Sequence, residues 1–257
     1  MAHWTPFPHA GEFDYDAASL KKHWARLHAG DAEPLPKDAA LLQAWAHYHN
    51  GEFQQAATQG LALGGDGITV ANKATAIYAT YLEKKEKTRL DLFMQVAERA
   101  QAQAQEQPQN ANAWYWNAYA LGRYSQGISV AKALAQGLGG KIKESLEKAI
   151  ALAPKHADAR IALGAFHAEV IDKVGALIGG MTYGAKKDAG LKLFQEALKL
   201  NPGSAIAMVE YANALVMLDG DKKMKEATAL YEKAAATTPI DAMERLDVEM
   251  AQAELED

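Results

Sequence analysis

Apolar and small residues recur along the chain at the spacing of a helix face, and prolines divide this pattern into similar segments. One set of four residues, which we call the ladder, occurs three times in the sequence. Its successive members are four, three and five residues apart. Its members are Ile142, Leu146, Ala149 and Pro154; Gly190, Phe194, Ala197 and Pro202; and Ala227, Tyr231, Ala234 and Pro239. Offsets of four and three keep residues on one helix face, and proline cannot donate the next backbone hydrogen bond. The pattern predicts helices that each bury one stripe and end near a proline.

The helices that follow the prolines also share a pattern. A small residue comes ten positions after Pro108, Pro154 and Pro202, at Ala118, Gly164 and Ala212. Small side chains on an inward face let a neighbouring helix approach closely. Helical hairpins that bury only one stripe are unstable alone, so we predict that they stack into a solenoid.

Three segments resemble the tetratricopeptide repeat (TPR) family. Residues 50–56 (NGEFQQA) are similar to that family's turn between helices, while residues 149–154 and 197–202 are similar to its repeat ending. The resemblance is good over 108–239, fair over 36–63 and weak over 67–107. The chain also resembles a narrower group, the irregular repeat proteins related to regulators of microtubule dynamics and to transporter-associated periplasmic repeat proteins. This resemblance is carried by the Trp114-Tyr115-Trp116 helix and two long inserts.

The resemblance implies an all-α fold, a right-handed α–α superhelix of about five helical hairpins with a capping helix at each end. We expect an N-terminal arm and capping helix over 1–35, a TPR-like solenoid over 36–239 and a C-terminal capping helix over 240–257. The expected repeats span about 36–66, 67–108, 109–154, 155–202 and 203–239, with inserts at about 127–140 and 173–185.

Composition supports a helical protein and excludes several function classes. The chain has 53 alanines and only 8 valines, which favours helices over strands. It has no cysteine, which excludes disulfides and cysteine-ligated metal centres. The net charge of −5 argues against a nucleic-acid partner. No stretch predicts a transmembrane segment or a signal peptide, so we expect a cytoplasmic protein, or a periplasmic one if a signal has been removed.

No group of residues predicts a metal site, a cofactor or a catalytic centre. On helices, His47 and His49 point to nearly opposite sides, and His23 and His28 diverge by about 140°. The motifs H-E-x-x-H and G-x-S-x-G are absent from the sequence. We therefore do not expect an enzyme.

By the same resemblance, the first helix of each hairpin would line a concave groove that binds a peptide or a protein segment. Tyr115, Tyr119 and Arg123 form one stripe because they are four residues apart, whereas Trp114, Ala118 and Leu121 are assigned to the core. The expected groove is mostly apolar, which suits a peptide with apolar anchors, unless the inserts fold into it and fill it. Its predicted residues are Asn112, Tyr115, Tyr119, Arg123, Ile161, Ala165, Val209 and Asn213.

Both inserts are basic and rich in glycine. Residues 127–143 and 173–187 each contain three lysines and no acid. The lysines nearest the following helix starts, where the helix dipole disfavours cations, are Lys141, Lys143, Lys186 and Lys187. Three interpretations stay open: a site for anionic lipid or an acidic partner, a homo-oligomer contact, or a long first helix followed by a glycine turn.

The sequence thus predicts a non-catalytic scaffold for protein–protein interaction. The alternative is a ligand-handling or adaptor subunit of a transport system or membrane surface. In that case the groove would hold an apolar small molecule and the basic inserts would contact anionic groups.

Overall fold

The computed structural model describes residues 3–256, so positions 1, 2 and 257 of the predicted arm and cap lie outside the described residues. The chain divides into two compact units. The first comprises Met1–His28, Glu33–Leu152 and Ile240–Met243, and the second comprises Ala29–Ala32, Ala153–Pro239 and Glu244–Asp257. The predicted division into arm, solenoid and cap, with its repeat boundaries, stays a prediction.

Every regular element in the described residues is a helix. The first unit contains α1 (Ala17–Leu27), α2 (Ala39–His49), α3 (Phe53–Leu63), α4 (Gly67–Tyr81), α5 (Glu86–Glu106), α6 (Ala111–Gln126), α7 (Val130–Ala135) and α8 (Leu138–Leu152). The second contains α9 (Ala157–Val174), α10 (Ala176–Tyr183), α11 (Lys187–Leu200), α12 (Ala205–Asp219), a short 3-10 helix (Gly220–Lys223) and α13 (Met224–Ala235). Helix α14 (Ala242–Glu254) has its first two residues in the first unit and the rest in the second.

The long helices form hairpins, as the periodicity predicted. In the first unit α2 packs on α3, α4 on α5, and α6 on α8; in the second, α9 packs on α11 and α12 on α13. Successive hairpins stack, because α3 also packs on α4, α5 on α6, and α12 on both α9 and α11. The all-α fold is therefore confirmed, with three stacked hairpins in the first unit and two in the second. The helices α7 and α10 lie in the two predicted inserts, each between the two long helices of a hairpin.

In four hairpins, the residue two positions after a proline is the N-cap of the first helix. Proline disrupts a helix beyond its first turn, whereas the side chain of the second residue after it can accept a hydrogen bond from the new helix. The side chains of these residues accept from the backbone N–H three positions on. They are Asp38, Asn110, His156 and Ser204, after Pro36, Pro108, Pro154 and Pro202. All four prolines thus precede the cap of a helix, and Pro108, Pro154 and Pro202 also follow the end of the previous helix within two residues.

The repeated ladder marks the buried face of the second helix in three hairpins. Its nine helical members are buried with one exception, Tyr231, which is half-buried. The hydroxyl of Tyr231 donates a hydrogen bond to the side chain of Asn213 on α12, and burial raises the pKa of the Tyr231 phenol. The ladder therefore predicted the core positions of α8, α11 and α13 correctly.

The hairpin α4–α5 is joined by side-chain hydrogen bonds as well as by apolar contacts. Gln103 Nε2 donates to Thr69 Oγ1 at 2.9 Å, and Arg99 donates to Asn72 and Thr75 at 3.0 and 3.1 Å. The three α4 residues are three positions apart and lie on one face. This contact face is therefore polar, unlike the small and apolar positions of the repeated ladder.

The helices α3 and α4 cross where Gly60 meets Gly67. A Cβ atom on Gly60 would lie 2.5 Å from the carbonyl oxygen of Gly67, and a Cβ atom on Gly67 would lie 2.5 Å from that of Gly60. Backbone atoms of two packed helices cannot move aside as a side-chain end can. Only glycine at both positions allows this approach.

We expect Gly60→Ala to lower the free energy of unfolding by about 1–3 kcal/mol, because the new methyl group overpacks this crossing. Gly122→Ala is the matched control, since a Cβ there meets no atom within 4 Å in the interior of α6. Alanine is the better helix former, so this control should gain about 0.5–1 kcal/mol. Urea denaturation followed by tryptophan fluorescence measures both. Equal effects would contradict the tight crossing.

Candidate interaction surface

Helix α10 is fixed at both ends within the second unit. Gly175, with φ of +83°, separates it from α9, and Gly184, with φ of +65°, ends it in the left-handed region. The backbone N–H of Lys186 then donates to Nδ1 of the buried His167 at 3.1 Å. The insert is therefore an ordered helix held against α9 rather than an extension of it.

One face of α10 packs on α9. Gly179 is buried, and a Cβ atom there would lie 2.9 Å from Cγ1 of Val170. The ring of Tyr183, one turn later, packs edge-on against Phe166 at a centroid distance of 6.3 Å. At 100° per residue the opposite face of the helix carries Leu177, Ile178 and Met181.

That opposite face is strongly exposed. The accessible fractions of its side chains are 77% for Leu177, 58% for Ile178 and 82% for Met181. Single exposed apolar residues are common on protein surfaces, but three large neighbours on one helix face are typical of an interaction site. We call Leu177, Ile178 and Met181 the α10 surface.

The lysines that border α10 are largely neutralised. Lys187 forms an ion pair with Asp219, and Lys173 Nζ lies 3.8 Å from Glu169 Oε2. Lys186 is exposed and has no ion-pair partner among the described residues. The segment 169–188 contains three lysines and three acids, so its formal charge is zero. The basic character predicted for the insert is lost once the neighbouring acids are included.

The first insert has a similar charge arrangement. Lys143 Nζ lies 2.6 Å from Glu147 Oε1, one helical turn later, whereas Lys141 is exposed and unpaired within the described part of the chain. Helix α7 exposes Val130 at 41% and Leu134 at 48%. Anion binding at these lysines stays a prediction.

In the first unit, half of the predicted groove residues are interior. Asn112 is buried, and its Nδ2 donates to Oε2 of Glu33 at 2.6 Å, so a residue of the chain itself covers it. Tyr115 is buried against the ring of Trp116. Both side chains are buried, and a role for them in a peptide groove stays a prediction. Tyr119 and Arg123 are partly exposed.

Half of the predicted groove residues in the second unit are also buried. Ile161 and Val209 are buried, in apolar clusters formed by α9, α11, α12 and the C-terminal helices. Ala165 and Asn213 are half-buried. Periodicity alone could not predict that other helices cover Ile161 and Val209, and the groove role of all four residues stays a prediction.

A buried polar chain in the first unit has no signal in the sequence pattern. Nδ1 of His49 lies 2.7 Å from Oδ2 of Asp241, and its Nε2 lies 3.2 Å from Nε2 of His28. All three residues are buried. Both nitrogens of His49 are used in these contacts, so this ring has no lone pair left for a metal ion. Asp241 is 192 positions from His49, and no local pattern could have signalled the contact.

Among the helices of residues 3–256, none is long and apolar enough to cross a membrane.

Comparisons with known proteins agree with this architecture. Among solved structures, a thermophilic TPR protein of Thermus thermophilus is similar, with a TM-score of 0.57 and 17% identity over 83% of this chain and 97% of that chain. At this identity the likeness shows the fold alone, and it confirms the predicted TPR-like solenoid class. No curated protein matches the sequence at a significant level. The family model for regulator of microtubule dynamics protein 1-3 matches residues 69–257. Since that match spans more than half of the sequence, the chain belongs to the family of regulators of microtubule dynamics 1–3.

Proposed function

We propose that this chain is a non-catalytic scaffold that binds a protein partner through the α10 surface. The TPR-like fold is that of a protein-interaction scaffold. The single observation that carries the proposal is the exposure of Leu177, Ile178 and Met181 on one face of an ordered helix. The family's name associates its members with microtubule dynamics, a role directed at proteins, which also favours a protein partner.

The chemistry of the α10 surface indicates the kind of partner. Its centre is apolar and uncharged, and exposed Lys186 lies just beyond the end of the helix. Interfaces of this kind bury large apolar anchors at the centre and place charges at the rim. The proposed partner segment therefore presents apolar side chains, with an acidic residue beside them.

The test is affinity purification of the full chain with Leu177, Ile178 and Met181 all replaced by serine. We expect at least a tenfold loss of bound partner, because the variant removes the apolar centre of the interface, and truncation of one central anchor costs about 2 kcal/mol or more. Thermal stability should change little, because the three side chains are exposed.

The matched control replaces Met217, Met224 and Leu255 by serine. These residues are also exposed, apolar and in the second unit, so they test for a general loss of surface hydrophobicity. The control should keep its partner. A partner retained by the α10 variant but lost in the control variant would overturn the proposal.

Peptide binding at the exposed remainder of the predicted groove is a separate proposal. The guanidinium carbon of Arg123 lies 5.3 Å from the ring centroid of Tyr119, and both side chains are partly exposed. Loss of the partner in Tyr119→Ala/Arg123→Ala, with retention in the α10 variant, would place the peptide site on α6 instead.

The membrane-surface alternative has less support, since Lys143 and Lys187 are engaged by Glu147 and Asp219. Flotation with anionic and with neutral liposomes separates the two functions. Binding to anionic liposomes that is lost in Lys141→Glu/Lys186→Glu would favour the alternative.

A further inference from the structure

Arg99 is a half-buried cation whose hydrogen-bond partners are both neutral. It lies on the face of α5 that packs on α4, where Nε donates to Oδ1 of Asn72 at 3.0 Å and Nη2 donates to Oγ1 of Thr75 at 3.1 Å. Within residues 3–256, no carboxylate lies within ion-pair distance of its guanidinium. By contrast, Arg160 and Arg245 each lie beside a glutamate, at 3.4 and 3.2 Å.

In this position the desolvation cost of the guanidinium charge is only partly offset. Burial removes water from the charge, and the pKa of Arg99 is lowered by that desolvation alone, with no compensating anion. Buried cations in proteins are normally paired with an anion, because hydrogen bonds to neutral oxygens offset only part of the desolvation cost. An anion beside Arg99 would offset the remainder.

The hydrogen bonds leave a defined set of donors. Nε and Nη2 share one edge of the guanidinium, and that edge is used by Asn72 and Thr75. The other edge, formed by Nη1 and the second hydrogen of Nη2, matches the two oxygens of a carboxylate or phosphate group.

Asn72 supplies a second, independent observation. The residue is fully buried, and its Nδ2 has no hydrogen-bond partner among the described residues. This nitrogen is bonded to the same carbon as the Oδ1 that accepts from Arg99, so an unsatisfied donor lies within a few ångströms of the cation. Unpaired buried donors are uncommon, because each costs about 1–3 kcal/mol.

We propose that Arg99 and Asn72 form a binding site for an oxyanion, which is the carboxylate or phosphate group of a ligand. Arg99 is partly exposed, so an anion can approach the side chain from solvent. The site lies in the first unit and is separate in sequence and chemistry from the α10 surface, so it is independent of the proposed function.

The test follows the side-chain Nε–H resonances of the arginines by NMR while the full chain is titrated with sodium phosphate or with sodium acetate at constant ionic strength. We expect the Arg99 resonance and the side-chain amide of Asn72 to shift in a saturable manner with at least one anion. Saturation by phosphate alone identifies a phosphate site, and saturation by acetate alone identifies a carboxylate site. Arg89, on the same helix, is the internal control and should show only a small linear shift.

Two variants keep the test decisive. Arg99→Gln removes the charge and should weaken the apparent affinity at least about tenfold, since a charge-assisted hydrogen bond contributes about 1.5–3 kcal/mol. Arg99→Lys keeps the charge but cannot bind in a bidentate manner, and should be intermediate. Circular dichroism verifies that both variants fold. Equal, non-saturating shifts at Arg99 and Arg89 with both anions would overturn the proposal.

Discussion

Replacing Asp241 by alanine is expected to lower the free energy of unfolding by about 3 kcal/mol or more, because it removes a buried carboxylate that is the hydrogen-bond partner of a buried histidine. His49 is fully buried and Asp241 is 1% exposed, so water cannot replace the lost carboxylate without disrupting the packing around it. The hydrogen bond from His49 Nδ1 spans 2.7 Å and would have no acceptor in the variant. Chemical denaturation measures the loss.

The substitution should also loosen the segment 240–243. Besides Asp241, this segment is held by Tyr15, whose hydroxyl donates to the carbonyl of Ile240 at 2.7 Å, and by Tyr48, whose hydroxyl lies 3.0 Å from Sδ of Met243. Hydrogen exchange of these amides should accelerate in the variant. Asp91→Ala is the control, since Asp91 is exposed on α5, and should change stability by less than about 0.5 kcal/mol. An equally small change in Asp241→Ala would show that the buried pair contributes nothing.

Replacing Phe194 by alanine is the second substitution with a large expected effect. Phe194 is fully buried on α11, its ring stacks on Tyr211 at 5.4 Å, and it fills the space beside Gly164 on α9. The cavity left by a buried phenyl ring costs about 3–5 kcal/mol. Phe194→Leu keeps most of the volume and should lose less than about 1.5 kcal/mol.

Separate probes are needed to follow the unfolding of each unit. All five tryptophans lie in the first unit, so tryptophan fluorescence reports on that unit and not on the surroundings of Phe194. Hydrogen exchange of α9 and α11 reports on the second unit directly, and its protection should fall in Phe194→Ala. A loss below about 1 kcal/mol would contradict the account of this core.

The sequence predicted the hairpins because their signals are local. A proline, a capping residue two positions later and a stripe of small or apolar residues act within one or two helical turns. For this reason the ladder through Phe194 and Ala197 identified buried positions correctly. The same reasoning assigned Trp114 to the core, yet Trp116 is the more deeply buried of the two. Neighbouring positions near the boundary of a helix face cannot be separated by periodicity alone.

The candidate site was only partly predictable, because burial of a helix face depends on contacts distant in sequence. Asn112 is covered by Glu33, 79 positions away, and His49 is bound by Asp241, 192 positions away. The inserts are recognisable in the sequence, but the acids that neutralise their lysines lie outside them. Asp219 beside Lys187 is an example. The exposure of Met181 and its neighbours follows from the packing of Gly179 on Val170, which requires the structure.

The most direct test of the central claim, that the chain binds a protein through the α10 surface, is site-specific photo-crosslinking in the native host. A benzophenone amino acid placed at Ile178 samples the centre of this surface, and one placed at Met217 samples an exposed apolar position elsewhere in the second unit. We expect a discrete adduct with one protein from position 178 and none from position 217. The absence of any adduct at 178, with an adduct formed from position 217 or from Tyr119, would contradict it.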